Sequence, residues 1–423
     1  METNSRKPHY GWVIVFVGFV IMCFVVCIVS NCVGMFVTPV SESMGISRQQ
    51  FSLTTTFYSG AGILLSAFIG KIYRRFTIKR VMMFSSVVLT AAYACYSIAP
   101  NIYVFYVISF ITGLRGCSLT MIAISTLMAN WFNEKRGLAI ALASTGSGVG
   151  GIFMNPFIGW LITSVGWRKT YLILAVIMAA AVIPCTFFLV KDTPADKGLG
   201  PYGGIAKPGA VNSTLYGMTA QQARKTPMFW MWCCICVVVS ASCTCVMQHS
   251  VSYITDLGYE YTFAAGMASV ITASLAVGKI VMGQIFDAVG SRLAGTISLS
   301  MFFTAFVLYG FADRVLFLYI ATGIIGFGLS FSTVAYSVVT QDLFGKKDYA
   351  GIYGSITVFA SVGSALGSPV IAGFYDALGS YKLAWNLLAL LMAGCIIMLN
   401  LIFIVKNKRA KETQFEHMNV KSV

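Results

Sequence analysis

Residues 283–292 read Gly-Gln-Ile-Phe-Asp-Ala-Val-Gly-Ser-Arg and form a short polar break between two long apolar runs, near 262–286 and 292–312. Each run is at least as long as the roughly 18 to 20 residues that a helix needs to cross a bilayer. The break contains two glycines, an acidic side chain and a basic side chain, as connecting loops often do. This stretch therefore predicts two membrane-spanning helices joined by a short polar loop.

The same alternation of apolar runs and polar breaks continues along the whole chain. Of the 423 residues, 57% are hydrophobic and 10% are charged, and the mean hydropathy is +0.80, whereas soluble domains carry about 25% charged residues. The runs are too long for barrel strands, which favours helices. We predict an all-α membrane protein with twelve transmembrane helices. The predicted spans lie near residues 10–34, 48–71, 79–99, 102–129, 136–164, 168–190, 227–255, 262–286, 292–312, 314–341, 348–376 and 381–405.

The formal net charge of +15 is distributed as membrane topology requires. If the N-terminus is cytoplasmic, the cytoplasmic segments hold 22 of the 29 Lys and Arg residues and the opposite side holds five. This bias is the positive-inside rule, and part of the charge also attracts anionic lipid. We expect a multi-pass protein of the cell membrane, with both termini in the cytoplasm and with the lipid bilayer, not nucleic acid, as its partner.

A polar segment at residues 191–226, rich in proline and glycine, divides the spans into two groups of six. We predict an N-terminal six-helix bundle at 1–190, a cytoplasmic linker at 191–226, and a C-terminal six-helix bundle at 227–423 that ends in a short cytoplasmic tail. A parallel repeat of this kind predicts two bundles that expose a midplane substrate site to each side alternately. Residues that match between the halves differ by 213 positions: Gly70 and Gly283, Gly113 and Gly326, Pro156 and Pro369, and Gly166 and Gly379.

The break at 283–292 matches Gly-x-x-x-Asp-x-x-Gly-x-Arg, the signature of the major facilitator superfamily, which the chain resembles over its whole length. The first-half copy is degraded, because Arg74 stands in place of the aspartate. Three further stretches resemble the branch of oxalate–formate exchangers and monocarboxylate porters. They are Tyr10-Gly11-Trp12, Asn130-Trp131-Phe132 with Lys135-Arg136-Gly137-Leu138-Ala139, and Gly166-Trp167-Arg168.

This resemblance implies the major facilitator fold, secondary transport and no enzymatic activity. It also implies a cytoplasmic gate at the signature loop, in which Asp287 contacts backbone N–H groups or a basic residue of a neighbouring span and releases them on opening. A polar loop that only fixes topology is the alternative. The predicted gating residues are Gly283, Asp287, Gly290 and Arg292.

Two cations, Arg115 and Lys279, lie inside predicted spans that contain no Asp or Glu. Charge in hydrocarbon is expensive and marks function by default, so the missing anion is predicted to be the substrate. In the related branch an arginine that binds carboxylate commonly follows a glycine, whereas this chain has Gly278-Lys279, which keeps the charge without the bidentate fork. Structural roles stay open: snorkelling for Lys279, and capping by carbonyls or neighbouring hydroxyls for Arg115.

Other candidate substrate-binding residues are polar or amphipathic side chains within the spans. His249 could carry a proton because histidine titrates near neutral pH, and its alternative is a hydrogen-bonded helix histidine. Packing is the alternative for the others. The full set is Arg115, Lys279, His249, Gln248, Tyr336, Asn31, Tyr58 and Tyr353. All twelve cysteines fall in apolar runs, where they pack as small hydrophobes, and we expect no metal and no cofactor.

The predicted function is secondary active transport of small mono- or dicarboxylates by alternating access, as an exchanger or a proton-coupled symporter. Its partners would be a small organic anion and either protons or a counter-transported anion, and we expect a functional monomer. The chain lacks a Walker sequence, so no ATP drive is encoded. Two alternatives stay open: efflux of larger amphipathic or aromatic organic acids, and an anion sensor with a transporter-like fold.

Overall fold

The computed structural model of this chain describes residues 9–203, 217–312, 314–345 and 347–421, and the side chains of 66–71, 74, 115–117, 136, 350 and 408–421 lie outside this description. The described chain is helical, and its β-pairing consists of two isolated bridges. Each of the twelve predicted spans falls on helical structure, which confirms the predicted all-α class.

Seven helices lie before the linker. Helix α1 continues without a loop into a π-helical stretch at Met22–Asn31 and a 3-10 turn at Val33–Phe36. Helix α3 begins at a capping box, in which the Ser47 hydroxyl accepts from the Gln50 N–H and the Gln50 side chain accepts from the Ser47 N–H. The seven are α1 (Gly11–Ile21), α2 (Val37–Met44), α3 (Arg48–Arg75), α4 (Ile78–Cys95), α5 (Ile102–Gly116), α6 (Met121–Trp131) and α7 (Arg136–Pro184).

Seven further helices follow. They are α8 (Ala220–Arg224), α9 (Pro227–Asp256), α10 (Tyr261–Tyr309), α11 (Val315–Leu329), α12 (Phe331–Phe344), α13 (Tyr349–Leu378) and α14 (Lys382–Lys421). Among the described residues, eight helical runs are long and apolar enough to cross a membrane. Two of them, at 53 and 49 residues, exceed twice the roughly 20 residues of one crossing, so each accommodates two predicted spans.

Glycine turns divide these two long runs. Gly166 in α7 has φ 82° and ψ 161°, and Gly290 in α10 has φ 78° and ψ 167°. Such positive φ angles suit glycine because it has no Cβ. The predicted spans five and six therefore meet at Gly166, and spans eight and nine meet at Gly290 within the signature loop.

The predicted span at 102–129 is not one continuous helix. Helix α5 ends at Gly116, a 3-10 turn covers Cys117–Leu119, and Thr120 is extended before α6 begins. The equivalent span of the second half divides between α11 and α12 at Ser330, which is 213 positions after Cys117. Hydropathy cannot detect these interruptions because the apolar character runs through both.

Contacts between Cα atoms divide the chain into two compact units. The first comprises Met1–Asn212 and Met247–Thr272, and the second comprises Ser213–Val246 and Ala273–Val423. We call residues 247–272 the far-end segment. It comprises the end of α9, the following turn and the start of α10, and it lies at the end of α9 that is farther from the predicted linker. The predicted domain bounds at 190 and 227 stay predictions.

In each half of the chain, the fifth predicted span packs closely on the first through a glycine. In the first unit a Cβ on Gly150 of α7 would lie 2.7 Å from the carbonyl oxygen of Cys23. In the second unit a Cβ on Gly363 of α13 would lie 2.1 Å from the carbonyl oxygen of Val237 in α9. Gly150 and Gly363 differ by 213 positions, so the sequence repeat is also a repeat of backbone packing.

Two residues within the predicted linker, Tyr202 and Gly217, pair with equivalent positions of the repeat. One bridge joins Phe132 to Tyr202 and the other joins Gly217 to Gly345, and positions 132 and 345 differ by 213. The Trp131 indole N–H also donates to the Lys191 carbonyl (2.9 Å). The stretch Asn130-Trp131-Phe132, which resembles the porter branch, thus holds the start of the linker.

Candidate substrate site and gates

Lys279 lies in the middle of the first half of α10 and is partly exposed. Its neighbour Gly278 faces α11, where a Cβ would lie 3.0 Å from the Phe327 Cα. Val277 and Ile280 form a different, apolar face and are 51% and 58% exposed. Lys279 therefore belongs neither to the packed face nor to the apolar exposed face of this helix.

The face that carries Lys279 has room beside it. Thr272, Lys279 and Gly283 share this face by helical spacing. No described atom lies within 4 Å of a Cβ built on Gly283, whereas Thr272 at the other end is fully buried. A cation beside open space within a transmembrane helix is suitably placed to contact an anion.

Arg115 lies in the last turn of α5, directly before the 3-10 turn that separates α5 from α6. Its side chain lies outside the described residues, so its predicted contact with substrate stays a prediction. Non-helical backbone at membrane depth is tolerated where it is buried in protein or lines an aqueous cavity. The interruption beside Arg115 therefore places polar backbone groups within this span, independently of the arginine side chain.

Asn31 and Tyr58 belong to the first unit. Asn31 ends the π-helical stretch, and its side-chain N–H donates to the Ser147 carbonyl of α7 (3.2 Å). Tyr58 is half-buried on α3, next to Gly113, whose Cβ would lie 2.2 Å from the Tyr58 carbonyl oxygen. Both positions are at helix–helix contacts, and their predicted roles in substrate binding stay predictions.

Gln248 and His249 are fully buried near the end of α9. The Thr55 hydroxyl of α3 donates to the Gln248 carbonyl oxygen Oε1 (2.8 Å), and the Ser52 Oγ lies 3.5 Å from the His249 Nε2. In this conformation the two side chains therefore contact α3 and have no surface open to solvent. Their predicted contact with substrate stays a prediction.

Tyr336 and Tyr353 belong to the second unit. The Tyr336 hydroxyl is buried and lies 2.7 Å from the Ser240 Oγ and 2.8 Å from the Cys236 carbonyl oxygen, both in α9. Tyr353 is half-buried and stacks on Tyr349 with ring centroids 5.4 Å apart. Tyr336 therefore contacts α9, whereas Tyr353 contacts a neighbour on its own helix, α13.

The predicted gating residues surround the turn at Gly290. Asp287 is exposed, and none of the ion pairs between described side chains includes it. The Arg292 Nε–H donates to the Asn400 Oδ1 of α14 (2.9 Å), so this base is held within the second unit. The proposed release of Asp287 during gating stays a prediction.

An ion pair that the sequence did not predict attaches the far-end segment to α3. Arg48 is buried at the start of α3, and its two terminal nitrogens lie 2.5 and 2.8 Å from the two carboxylate oxygens of Asp256. The Thr38 hydroxyl donates to the Ser252 Oγ nearby (2.8 Å). The sequence could have suggested this pair, because Arg48 begins predicted span two and Asp256 directly follows predicted span seven on the same predicted side of the membrane.

The start of α10 packs on α7 and the end of the first span. The Tyr261 hydroxyl donates to the Met35 carbonyl. A Cβ on Gly159 would lie 2.7 Å from the Ala265 Cβ, and a Cβ on Gly151 would lie 2.6 Å from the Thr272 Cβ. Such distances leave no room for a side chain, so the two helix backbones approach each other closely.

The chain is similar in sequence to several membrane transporters. It is 25% identical to monocarboxylate transporter 13 of Bos taurus over 85% of this chain and 79% of that protein. It is 23% identical to monocarboxylate transporter 9 of Pongo abelii over 94% of each. An uncharacterized MFS-type transporter of Bacillus subtilis, YcxA, is 25% identical over 39% of this chain and 40% of that protein.

Solved structures share the fold at low sequence identity. The nucleoside transporter NupG superposes with a TM-score of 0.72 at 12% identity, covering 94% of this chain and 99% of that one. A bacterial homolog of the human lysosomal transporter Spinster gives 0.66 at 13% identity, covering 95% and 96%. The profile of the Major Facilitator Superfamily matches residues 19–367 and 267–420. The chain therefore belongs to the Major Facilitator Superfamily, as its signature loop predicted, and is a multi-pass membrane transporter, not an enzyme.

Proposed function

We propose that this transporter carries small monocarboxylates and that Lys279 contacts the substrate carboxylate. The observation that supports this most strongly is a partly exposed lysine within a transmembrane helix, on a face that has open space at Gly283. The names of the relatives, monocarboxylate transporters 13 and 9, support the same substrate class.

The chemistry follows from the cost of charge in a membrane. A lysine ammonium presents three donors and a compact charge, so it pairs with one carboxylate without the planar fit that arginine would impose. Pairing neutralises both groups, which lowers the cost of carrying either through a low-dielectric region.

A dicarboxylate is the second candidate. It is favoured by the position of Arg115, whose backbone lies beside the interruption between α5 and α6. A second cation in the transport path would fit a second carboxylate group. A lysine-centred site fits both exchange and proton symport, which differ in their response to a pH gradient.

Counterflow in proteoliposomes tests the proposal. Vesicles loaded with unlabelled formate, lactate, pyruvate, oxalate or succinate would be tested for uptake of the same radiolabelled acid, with and without a pH gradient. We expect saturable uptake of at least one monocarboxylate, loss of uptake in K279Q and partial retention in K279R. Uptake by K279Q at the wild-type rate and KM would overturn the role of Lys279.

A matched control is available on α14. The Lys406 Nζ lies 2.5 Å from the Asp342 Oδ1 in a partly exposed ion pair of the second unit. K406Q removes the same charge by the same substitution outside the Lys279 face, so we expect uptake close to that of the wild type. Loss of uptake in K406Q to the level of K279Q would show that net charge, not the position of Lys279, matters.

A further inference from the structure

Asn155 of α7 is a buried amide without a hydrogen-bond partner among the described residues. The side chain is 0% exposed, and neither its Oδ1 nor its Nδ2 has a partner among the described residues. Buried polar groups in native proteins are nearly always hydrogen-bonded, because leaving one unpaired costs its full desolvation free energy. A side chain in this state requires an explanation.

The surroundings of Asn155 explain why it has no partner in this conformation. Gly151 and Gly159 lie one turn before and one turn after it on the same face of α7. These glycines contact Thr272 and Ala265 of α10, so Asn155 faces the stretch between those two residues. Small residues bring the helices together around the amide and exclude water from it.

The facing stretch of α10 offers no free hydroxyl proton. The Ser269 hydroxyl donates to the Ala265 carbonyl (3.2 Å), and the Thr272 hydroxyl donates to the Ala268 carbonyl (3.1 Å). Both protons are therefore used within their own helix. Pro156 has no N–H, so the Ile152 carbonyl one turn earlier also lacks its usual helical donor.

The equivalent position in the second half is different. Ser368 stands 213 positions after Asn155 and is followed by Pro369, so the proline bend is repeated. Ser368 is also fully buried, but it is not among the described side chains that lack a partner. The bend therefore does not by itself require an unpaired group.

We propose that Asn155 is a residue of the transport path that obtains its hydrogen-bond partners only when α7 and residues 261–272 separate. The partner is an oxygen that enters with the opening, either of water or of the substrate carboxylate. While the helices are in contact, the unpaired amide destabilises that contact and so makes opening easier. This proposal rests on alternating access, and its substrate arm rests on the proposed function.

Hydrogen–deuterium exchange of the purified full chain in nanodiscs tests the proposal without any substrate. Leucine has nearly the shape of asparagine and no polar group, so N155L removes the unpaired amide and keeps the packing. We expect peptides that cover 259–272 to exchange at least about threefold more slowly in N155L than in the wild type. Equal or faster exchange in N155L would overturn the proposal.

Two further variants keep the result interpretable. S85A removes another buried hydroxyl, on α4, that has no partner in the described part of the chain, and we expect it to leave exchange at 259–272 unchanged. If N155L does not fold, N155A is measured in its place, and we expect exchange no faster than in the wild type although a cavity is created. Faster exchange in N155A, or equal slowing in S85A, would contradict a specific effect of Asn155.

Transport kinetics then identify the partner. If the partner is the carboxylate, N155L raises the KM for the acid found by counterflow. If it is water, the KM is unchanged and the maximal rate falls because the contact opens less often. Unchanged KM and maximal rate would overturn a role in the path, whereas failure to find any transported carboxylate would leave the exchange result intact and count only against the proposed substrate.

Discussion

Two contacts within the first unit hold the far-end segment by opposite chemistry. The polar contact joins α3 to the end of α9 through Arg48–Asp256, Ser52–His249 and Thr55–Gln248. The apolar contact joins the start of α10 to α7 through Ala265–Gly159 and Thr272–Gly151, beside a single hydrogen bond from Tyr261 to the Met35 carbonyl. The first contact is made by the start of α3 and the second by the start of α10, and these two helix starts are equivalent in the repeat. The equivalent residues, each pair 213 positions apart, are Arg48 and Tyr261, Ser52 and Ala265, and Thr55 and Ala268.

The difference shows that two equivalent parts of the repeat, the starts of α3 and α10, are held by different kinds of contact. Hydrogen bonds and the ion pair of the polar contact are directional, so they fix the register of α9 on α3. The apolar contact depends on close approach of helix backbones, and it leaves Asn155 unpaired. We therefore expect the apolar contact to separate at lower cost than the polar one.

Overpacking the apolar contact is expected to have the largest effect. In G151V a side chain would stand where even a Cβ lies 2.6 Å from Thr272, so the helices must move apart. We expect a loss of about 3 kcal/mol in the stability of this contact and much faster hydrogen exchange at 259–272.

The control for this prediction is G266A, because no described atom lies within 4 Å of a Cβ on Gly266. It adds a side chain to the same segment without a clash and should leave exchange unchanged or slower. Normal exchange in G151V would mean that α7 and α10 do not approach as closely as the structure shows.

Breaking the ion pair is expected to have the second largest effect. D256N leaves the buried Arg48 guanidinium without its charged partner, and Asp256 is itself only 26% exposed in its side chain. Because hydrogen bonds to charged groups contribute about 1.5–3 kcal/mol, we expect a loss of about 2 kcal/mol, measured as the fall in unfolding free energy of the far-end segment by exchange.

A double-mutant cycle separates the pair from its surroundings. Because Arg48 and Asp256 form one ion pair, R48Q combined with D256N should cost less than the sum of the two single variants. Strict additivity would mean that Arg48 and Asp256 do not interact.

Removing one neutral hydrogen bond of the polar contact is expected to have the smallest effect. T55V keeps the shape of Thr55 and removes the hydroxyl that donates to the Gln248 Oε1. We expect a loss of about 1 kcal/mol, seen as modestly faster exchange at 247–256.

T145V is its control, because the exposed Thr145 hydroxyl donates to the Leu142 carbonyl of its own helix. Its exchange at 247–256 should match that of the wild type. A larger effect of T55V than of D256N would reverse the proposed ranking of these interactions.

Much of the fold could be predicted because membrane spans have a strong local signal. Hydropathy located all twelve spans, and the glycine signature located the turn at Gly290. The interruption at Cys117–Leu119 escaped prediction because apolar residues continue through it, and helix breaks of this kind depend on packing with other helices.

The candidate site was less accessible to sequence reasoning. Lys279 could be singled out because a charge in an apolar run is visible in one chain. The Arg48–Asp256 pair spans 208 residues, and no local pattern links its two ends. Gln248 and His249 were predicted to bind substrate from their polarity alone, and the structure places both against α3, where the Gln248 Oε1 accepts from Thr55 and the His249 Nε2 lies 3.5 Å from the Ser52 Oγ.

Equilibrium binding to the purified protein tests the role of Lys279 most directly. The radiolabelled acid found by counterflow would be titrated onto wild type, K279R, K279Q and K406Q in a scintillation proximity assay. We predict that K279Q binds about tenfold to a hundredfold more weakly than the wild type, because a charge-assisted hydrogen bond is lost. K279R should bind more tightly than K279Q, and K406Q should bind like the wild type. Binding by K279Q that equals binding by the wild type would contradict the central claim that Lys279 contacts the transported carboxylate.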